Sequence, residues 1–322
     1  MSKIVSVIIP CYNSSLHIKE AVQSVLDQTY PDIEIIIVDD GSTDESLNMV
    51  KSLYSANNNI FIKSQLNKGA CAARNLGFQV SKGHYIQYLD ADDILSPDKI
   101  ASQLLQIEHS KGIIASCRWD KFYNSPDECS FPFRYLDKSW NNPADWLKNS
   151  WLGKGMGQTS IWLTPRDLIK MAGPWNEKLS VNQDGEFFSR VLLQASRIVF
   201  SEKAKVYYRS GNPQSISQSN IYSRVKAESL LESYRLYQTN VNQHASEQIT
   251  DNLSPGLATN YLTFIYQYDI YFPDLTTKAF GFFAELGFNK AWAVGGGTFK
   301  KLSSVIGFRN ALKLKRILVK MK

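Results

Sequence analysis

Three carboxylates crowd the segment YLDADDILSP, where Asp90, Asp92 and Asp93 fall within four positions. Like charges this close repel, so each acid needs a nearby cation or hydrogen-bond donors to hold it. A second pair, Asp39-Asp40, opens the segment DDGSTDES. An edge lined with carboxylates repels a phosphorylated ligand unless a cation lies between them. Mg²⁺ or Mn²⁺ does this, bound by one or two carboxylates plus phosphate oxygens. A carboxylate without metal can instead accept a hydrogen bond from a nucleobase N–H or a ribose hydroxyl. The two clusters together therefore point to a nucleoside diphosphate held through a divalent ion, with acids reading base and sugar. The plainer use of an Asp at a strand end is to cap a helix or close a turn, and Asp44 and Asp98 are assigned to that use.

The elements that must position these acids alternate in type. VSVIIP (5–10), EIIIV (34–38), NIFIKSQ (59–65) and HYIQYLD (84–90) are short β-like runs. Between them lie helical patterns at 16–28, with Ser14 or Ser15 as cap, at 42–54, opened by S-T-D-E as a capping box, and near 70–80. Ser96-Pro97-Asp98 marks a further helix start. This rhythm predicts an α/β fold: a Rossmann-like, mostly parallel sheet with helices on both faces. Ligands of such sheets bind outside the carboxyl ends of the strands, where both acidic clusters fall. GIIASCRWDKFY predicts another strand, QDGEFFSRVLLQA (183–195) a helix, and RIVFS and KVYYR two late strands. After residue 218 the composition becomes helical and Tyr-rich, with breaks expected at Ser254-Pro255-Gly256 and at the glycines 295–297. The expected division is 1–217 as the catalytic region and 218–322 as a C-terminal helical extension.

Composition excludes several classes. The 322 residues are 43% hydrophobic and 20% charged, an ordinary globular balance. The cysteines at 11, 71, 117 and 129 form no C-x-x-C pair, and the histidines at 17, 84, 109 and 244 lie at no ligand spacing from them. PCYNSS after the first strand cannot serve as G-x-G-x-x-G, and GxxxxGK[ST] is missing, which argues against NAD enzymes and P-loop kinases. No apolar stretch approaches the roughly 18 residues of a membrane span, and the first residues lack a signal peptide's pattern. A cytoplasmic protein is expected. The net charge of +6 is uneven, since 300–322 carries Lys and Arg without Asp or Glu, interleaved with Leu, Ile and Val. Such a basic amphipathic helix lies on an anionic membrane surface at the inner face of the cell membrane, or packs on its own domain with its basic face solvated. Nucleic acid is the weaker reading, because nothing else in the chain supports it.

Five segments (VSVIIPCYN, VDDGSTDES, NKGACAARNLG, YLDADD and QDGEFF) occur in an order and spacing that resemble the family 2 glycosyltransferases of GT-A fold. The resemblance runs over about Val5 to Ser217 and implies an inverting, metal-dependent transferase using a nucleotide-sugar donor. It implies that Tyr12, beside Pro10, packs on the nucleobase, that Asp40, next to Asp39, reads the base, and that Asp90 contacts the ribose. Asp92 would coordinate Mg²⁺ or Mn²⁺, and Asp93 would orient the loop. Gly69 and Arg74 resemble the donor-side loop, with Arg74 either a cation near the diphosphate or a structural salt bridge. Asp184 takes the place of the general base, although Gln183 replaces the Glu usual before it; Glu186 is the competing acid. The Q-x-x-R-W motif of processive relatives is absent, implying a single-sugar transferase acting on a saccharide or lipid-linked acceptor. In YYRSGNPQSIS (207–217), similar to a loop that closes over the diphosphate, Arg209 is followed by Ser210 and Gly211 rather than histidine. Trp151 and Trp162 are acceptor-site candidates. The alternatives are a nucleotidyltransferase on a similar fold, which would need a basic glycine-rich loop after strand one, and a non-catalytic, nucleotide-binding or membrane-recruited scaffold.

Overall fold

The structure, a computed structural model, describes residues 3–211 and 222–320. The boundary expected at 217/218, most of the 207–217 loop and the last two residues of the tail lie outside the described residues. The chain divides into two compact units, and the second takes in 144–154 and 178–182 besides its C-terminal part.

The first unit is built on two sheets. Its strands and helices begin with β1 (Val5–Cys11), α1 (Ile18–Leu26), β2 (Ile33–Asp39), α2 (Ser46–Tyr54), β3 (Ile60–Ser64), α3 (Ala70–Val80) and β4 (Tyr85–Tyr88). They continue with β5 (Ile94–Leu95), α4 (Lys99–Ile107) and β6 (Ile113–Phe122). The larger sheet has the order β3-β2-β1-β4 and then β7 (Thr164–Pro165), with all neighbours parallel except β4 and β7. In β1, Val5, Ser6, Val7, Ile8 and Ile9 are all 0% exposed. Successive side chains of a strand point to opposite faces, so both faces of this sheet are covered, as its continuous apolar runs require. The order reverses between β1 and β4. Register pairs Cys11 with Asp39 and Ile8 with Tyr88, which brings the carboxyl ends of β1, β2 and β4 to one edge.

This unit also contains α6 (Arg166–Ala172), α7 (Gln183–Gln194) and β8 (Arg197–Arg209). The smaller sheet has the order β5-β8-β6, with α4 packed on β6 and β8. The two late strands expected from RIVFS and KVYYR are one strand, β8, whose pairing with β6 shifts register between Cys117 and Arg118. A bulge lets one long strand bend where the sequence suggests two.

Helix starts also differ from expectation. α2 opens at Ser46 rather than Ser42, because Asn13 Oδ1 accepts the amides of Thr43 (2.8 Å) and Asp44 (3.3 Å) and holds them out of the helix. Asp44 then accepts from the Ser46 amide at 2.9 Å, a capping use as expected. Asp98 precedes α4 without capping it and accepts from Thr29 Oγ1 at 3.1 Å instead. α1 starts on a backbone turn, His17 N to Ser14 O at 2.9 Å, while Ser14 Oγ donates to Tyr12 O.

Among the described residues, the second unit contains α5 (Pro143–Trp151) from residue 144 and five further helices. These are α8 (Arg224–His244), α9 (Glu247–Tyr268), α10 (Pro273–Glu285), α11 (Gly297–Ile306) and α12 (Phe308–Lys320). Its core joins Ala258, Tyr261, Leu262, Ile265, Phe283 and Phe308. The break expected at Ser254-Pro255-Gly256 does not occur, since α9 runs through Pro255. An interior proline costs about 3 kcal/mol. α9 fully or almost fully buries Leu253, Leu257, Tyr261, Leu262 and Phe264, each contributing about 1.5–3 kcal/mol, so packing outweighs the proline. The break at 295–297 is present, before α11. The basic tail is not one helix but two, parted at Gly307, whose φ of 83° few other residues adopt. Among the described residues no helix is long and apolar enough to cross a membrane.

Candidate active site

The edge formed by the ends of β1, β2 and β4 gathers most of the residues singled out in the sequence. After β1, Asn13 adopts a φ of 48° and its side chain laces this loop to the one after β2. Tyr12 precedes it with 47% of its surface exposed, an uncovered ring at the sheet edge beside half-buried Pro10. Asp39 is buried and accepts from the Ser42 amide at 3.4 Å. Asp40 is equally buried, and its oxygens accept from Gln65 Nε2 (2.7 Å), the Lys68 amide (2.9 Å) and the Gly69 amide (2.8 Å). Three of about four carboxylate lone-pair sites are thus engaged in drawing the 65–69 loop onto the edge. Gly69 holds a φ of 91° at the head of α3, a turn that a side chain would strain.

From α3, Arg74 reaches Asp90 at 2.6 Å while its guanidinium lies 4.6 Å from the centre of the Trp175 ring. Its Nε and Nη1 are buried with no hydrogen-bond partner among the described residues. Sequence reasoning missed the residue that fixes this arrangement. Asn75 accepts from the Trp175 amide at 2.8 Å and donates to Trp175 O and Glu177 Oε1, which pins the indole beneath Arg74. Asn75 stands inside NKGACAARNLG, where an amide on a helix of small residues was the available signal.

After β4 the three acids separate. Asp93 is 0% exposed and accepts from the Arg209 amide (3.1 Å), Gln158 Nε2 (3.0 Å) and Ser160 Oγ (3.4 Å). Burial, with Asp92 and Asp90 adding to it, lifts its carboxyl well above the ordinary range. Asp92 is half-buried and forms no ion pair among the described residues; burial first, then Asp90, pushes it up to about 6. Arg209 closes this loop from β8. Its Nε donates to Asp92 O at 3.0 Å, its Nη2 pairs with Glu20 of α1, and its guanidinium sits 4.5 Å from the Phe122 ring.

Asp184, in the first turn of α7, is half-buried and within electrostatic reach of Arg74 and Asp90. Burial raises its carboxyl above the usual range, against the Gly185 amide and Arg74, which lower it. Glu186 is engaged elsewhere, paired through both oxygens with Arg190 at 2.8 and 2.9 Å. Trp162, 2% exposed and stacked on Phe188, is core in the first unit. Trp151, 7% exposed and stacked on Tyr237, is core in the second. Neither ring is open to an acceptor, which corrects the expectation for both.

Among the described residues no three His, Cys, Asp or Glu side chains form a metal cage of their own. An ion that takes most of its ligands from phosphate and water needs only one or two carboxylates. Asp92, half-buried and unpaired beside Asp90, fits that smaller requirement.

A family model described as Glycosyl transferase family 2 matches residues 6–159. The glycosyltransferase GlyG of Streptococcus pneumoniae is 41% identical over 215 residues, 65% of this chain and 71% of that protein. An uncharacterized glycosyltransferase of Haemophilus influenzae (36% identical over 31% of this chain) and the chondroitin synthase of Escherichia coli (40% over 35%) also match. The matched segments span only 41% and 16% of those two relatives. Among solved structures, S. aureus TarS 1-349 in complex with UDP-GlcNAc superposes with a TM-score of 0.72 at 20% identity, covering 88% of this chain and 81% of that one. The mannosyltransferase PcManGT of Pyrobaculum calidifontis, in complex with GDP-Man and Mn2+, gives 0.58 at 14% identity over 98% and 88%. On the extent and identity of the match to GlyG, and on a mostly parallel α/β architecture shared with these structures, the chain is a glycosyltransferase of family 2 with the GT-A fold.

Proposed function

We propose that the chain transfers a single sugar from a UDP-sugar to a saccharide or lipid-linked acceptor, with inversion at the anomeric carbon. The observation that carries this reading is the trio Arg74, Asp90 and Asp184, gathered at the strand-end edge with two buried donors of Arg74 unengaged. Tyr12 offers its exposed ring to the nucleobase. Asp39 and the remaining accepting capacity of Asp40 face base N–H groups, and Asp40 also holds Gly69 and the donor-side loop. Asp90, fixed by Arg74, accepts from the ribose. Asp184 takes the proton of the acceptor hydroxyl as its oxygen attacks the anomeric carbon, and the nucleoside diphosphate leaves from the opposite face. Asp92, together with the donor's phosphate oxygens, would hold Mg²⁺ or Mn²⁺, which would supply positive charge where the diphosphate departs.

The UDP-GlcNAc bound to TarS supports a UDP-sugar, and the GDP-Man and Mn2+ of PcManGT support a divalent ion beside the donor. The match to chondroitin synthase supports a saccharide acceptor. The direct test is UDP binding by calorimetry with and without Mn²⁺. Asp92→Ala is expected to abolish the Mn²⁺-dependent part. Metal-dependent binding that survives in this variant would overturn the assignment of Asp92. A thermal-shift screen of nucleotide sugars with Mn²⁺ identifies the donor.

A further inference from the structure

The outer surface of α12 has no role in the donor site, yet its chemistry is specific. The helix shows three faces. Phe308, Ala311 and Leu312 are 2%, 0% and 3% exposed and belong to the core of the second unit. Lys315, donating to Tyr266 O, and Arg316, paired with Asp269, extend that attachment. Leu314, Ile317 and Leu318, at i, i+3 and i+4, form a separate apolar stripe that is 41%, 53% and 61% exposed. Arg309 and Lys313, four residues apart and both exposed, run along one border of that stripe, with the Arg309 guanidinium also 4.7 Å from the centre of the Phe280 ring. The core face is already occupied, so the second stripe is not explained by packing within this unit.

Charge selects the occupant. From 286 to 322 the sequence holds nine Lys and Arg and no Asp or Glu. A second copy of the same helix would bring Arg309 and Lys313 against their own equivalents, a like-charge approach. Nucleic acid would take the charge but leave the apolar stripe in water. A lipid surface bearing anionic headgroups matches both features, because the stripe enters the acyl boundary while the basic border meets the headgroups. We infer that Leu314, Ile317 and Leu318, bordered by Arg309 and Lys313, are a docking surface for an anionic membrane. The inference stands apart from the donor-site reading and does not depend on it.

The experiment is co-sedimentation of the full chain with vesicles of phosphatidylcholine alone or with about one-third phosphatidylglycerol, at about 0.1 M salt. Binding to the anionic vesicles and not to the neutral ones is expected. Each surface lysine adds about fivefold to partitioning. Arg309→Glu with Lys313→Glu is therefore expected to weaken binding at least about tenfold. Leu314→Ser, Ile317→Ser and Leu318→Ser combined should weaken it comparably. Should the serine variant fail to fold, the glutamate variant at two exposed positions still decides the matter. Absence of binding, equal binding to both vesicle types, or undiminished binding by the glutamate variant would overturn the proposal. So would a serine variant that loses self-association in sedimentation velocity but keeps vesicle binding, which would assign the stripe to a second copy.

Discussion

Burial lifts the Asp184 carboxyl, Asp90 adds to the lift, and the Gly185 amide and Arg74 oppose it. A general base must be deprotonated, so transfer should fall as pH drops through a value above the ordinary carboxylate range. Asp184→Asn is expected to lower kcat by at least about 10³-fold while UDP affinity stays within about twofold. Unchanged turnover would remove Asp184 from the chemistry. Asp92, pushed up to about 6, is raised as well and could give a limb of its own. The two are told apart with metal, because excess Mn²⁺ competes with a proton on a ligand and shifts its limb to lower pH, whereas a limb owned by Asp184 stays in place. Arg74 supports a second prediction. Arg74→Lys keeps a cation for Asp90 but loses the planar fork whose Nε and Nη1 are unengaged. The melting temperature should hold within a few degrees while kcat/KM drops about 10²-fold. If activity and stability fall in parallel across Arg74→Lys and Arg74→Met, Arg74 is only a structural partner of Asp90.

At the level of elements, the acidic loop after β4 is held by the far end of β8. Arg209 contributes its amide to Asp93, its Nε to the Asp92 carbonyl and its Nη2 to Glu20. Arg209→Ala should raise the Mn²⁺ concentration for half-maximal UDP binding about tenfold, as loss of groups that orient a ligand does. Glu20→Gln, which leaves the Asp92 contact in place, should change it far less. Equal Mn²⁺ dependence in Arg209→Ala and the unsubstituted chain would show that β8 does not hold the loop. Nothing in YYRSG announces this role, for it depends on β8 crossing to the other sheet's loop. The same division runs through the chain. α3 is legible at 70–80 because its signals are local: a glycine at its head and small residues at helical spacing. The strand-end position of both acidic clusters is legible because sheet burial writes continuous apolar runs. By contrast, the start of α2 is set by Asn13, some 30 residues away, and α9 passes through Pro255 because of its tertiary packing. Asp40 is recognisable as a site acid, but its use in holding the 65–69 loop appears only when that loop folds back.

For the whole molecule, stability against pH follows from groups that the first unit buries. Lys99, at the start of α4, is 0% exposed and donates to Gln87 Oε1. Burial lowers its pKa from 10.5 to about 7. Below pH 7 the amine is charged in both folded and unfolded chains. Above pH 7 only the unfolded chain keeps the proton, so stability rises with pH, by at most about 1.4 kcal/mol per unit from this group. The thiols act in the opposite sense. Burial pushes Cys11 and Cys117 up to about 12 and Cys71 and Cys129 up to about 11 from 9.0. Above pH 9 the unfolded chain therefore releases protons that the folded chain retains, and stability falls. The window that isolates Lys99 lies between pH 7 and about 8.5. Urea unfolding across it should show stability climbing in the unsubstituted chain and a distinctly flatter profile in Lys99→Met. The Gln87 oxygen left without its donor lowers the stability of that variant by about 1–3 kcal/mol. This loss is the same at every pH, so the slope reads the lysine alone. Parallel slopes for the two proteins would mean that Lys99 remains protonated in its buried site, and that Gln87 with the surrounding backbone stabilises a full charge in the core of the first unit.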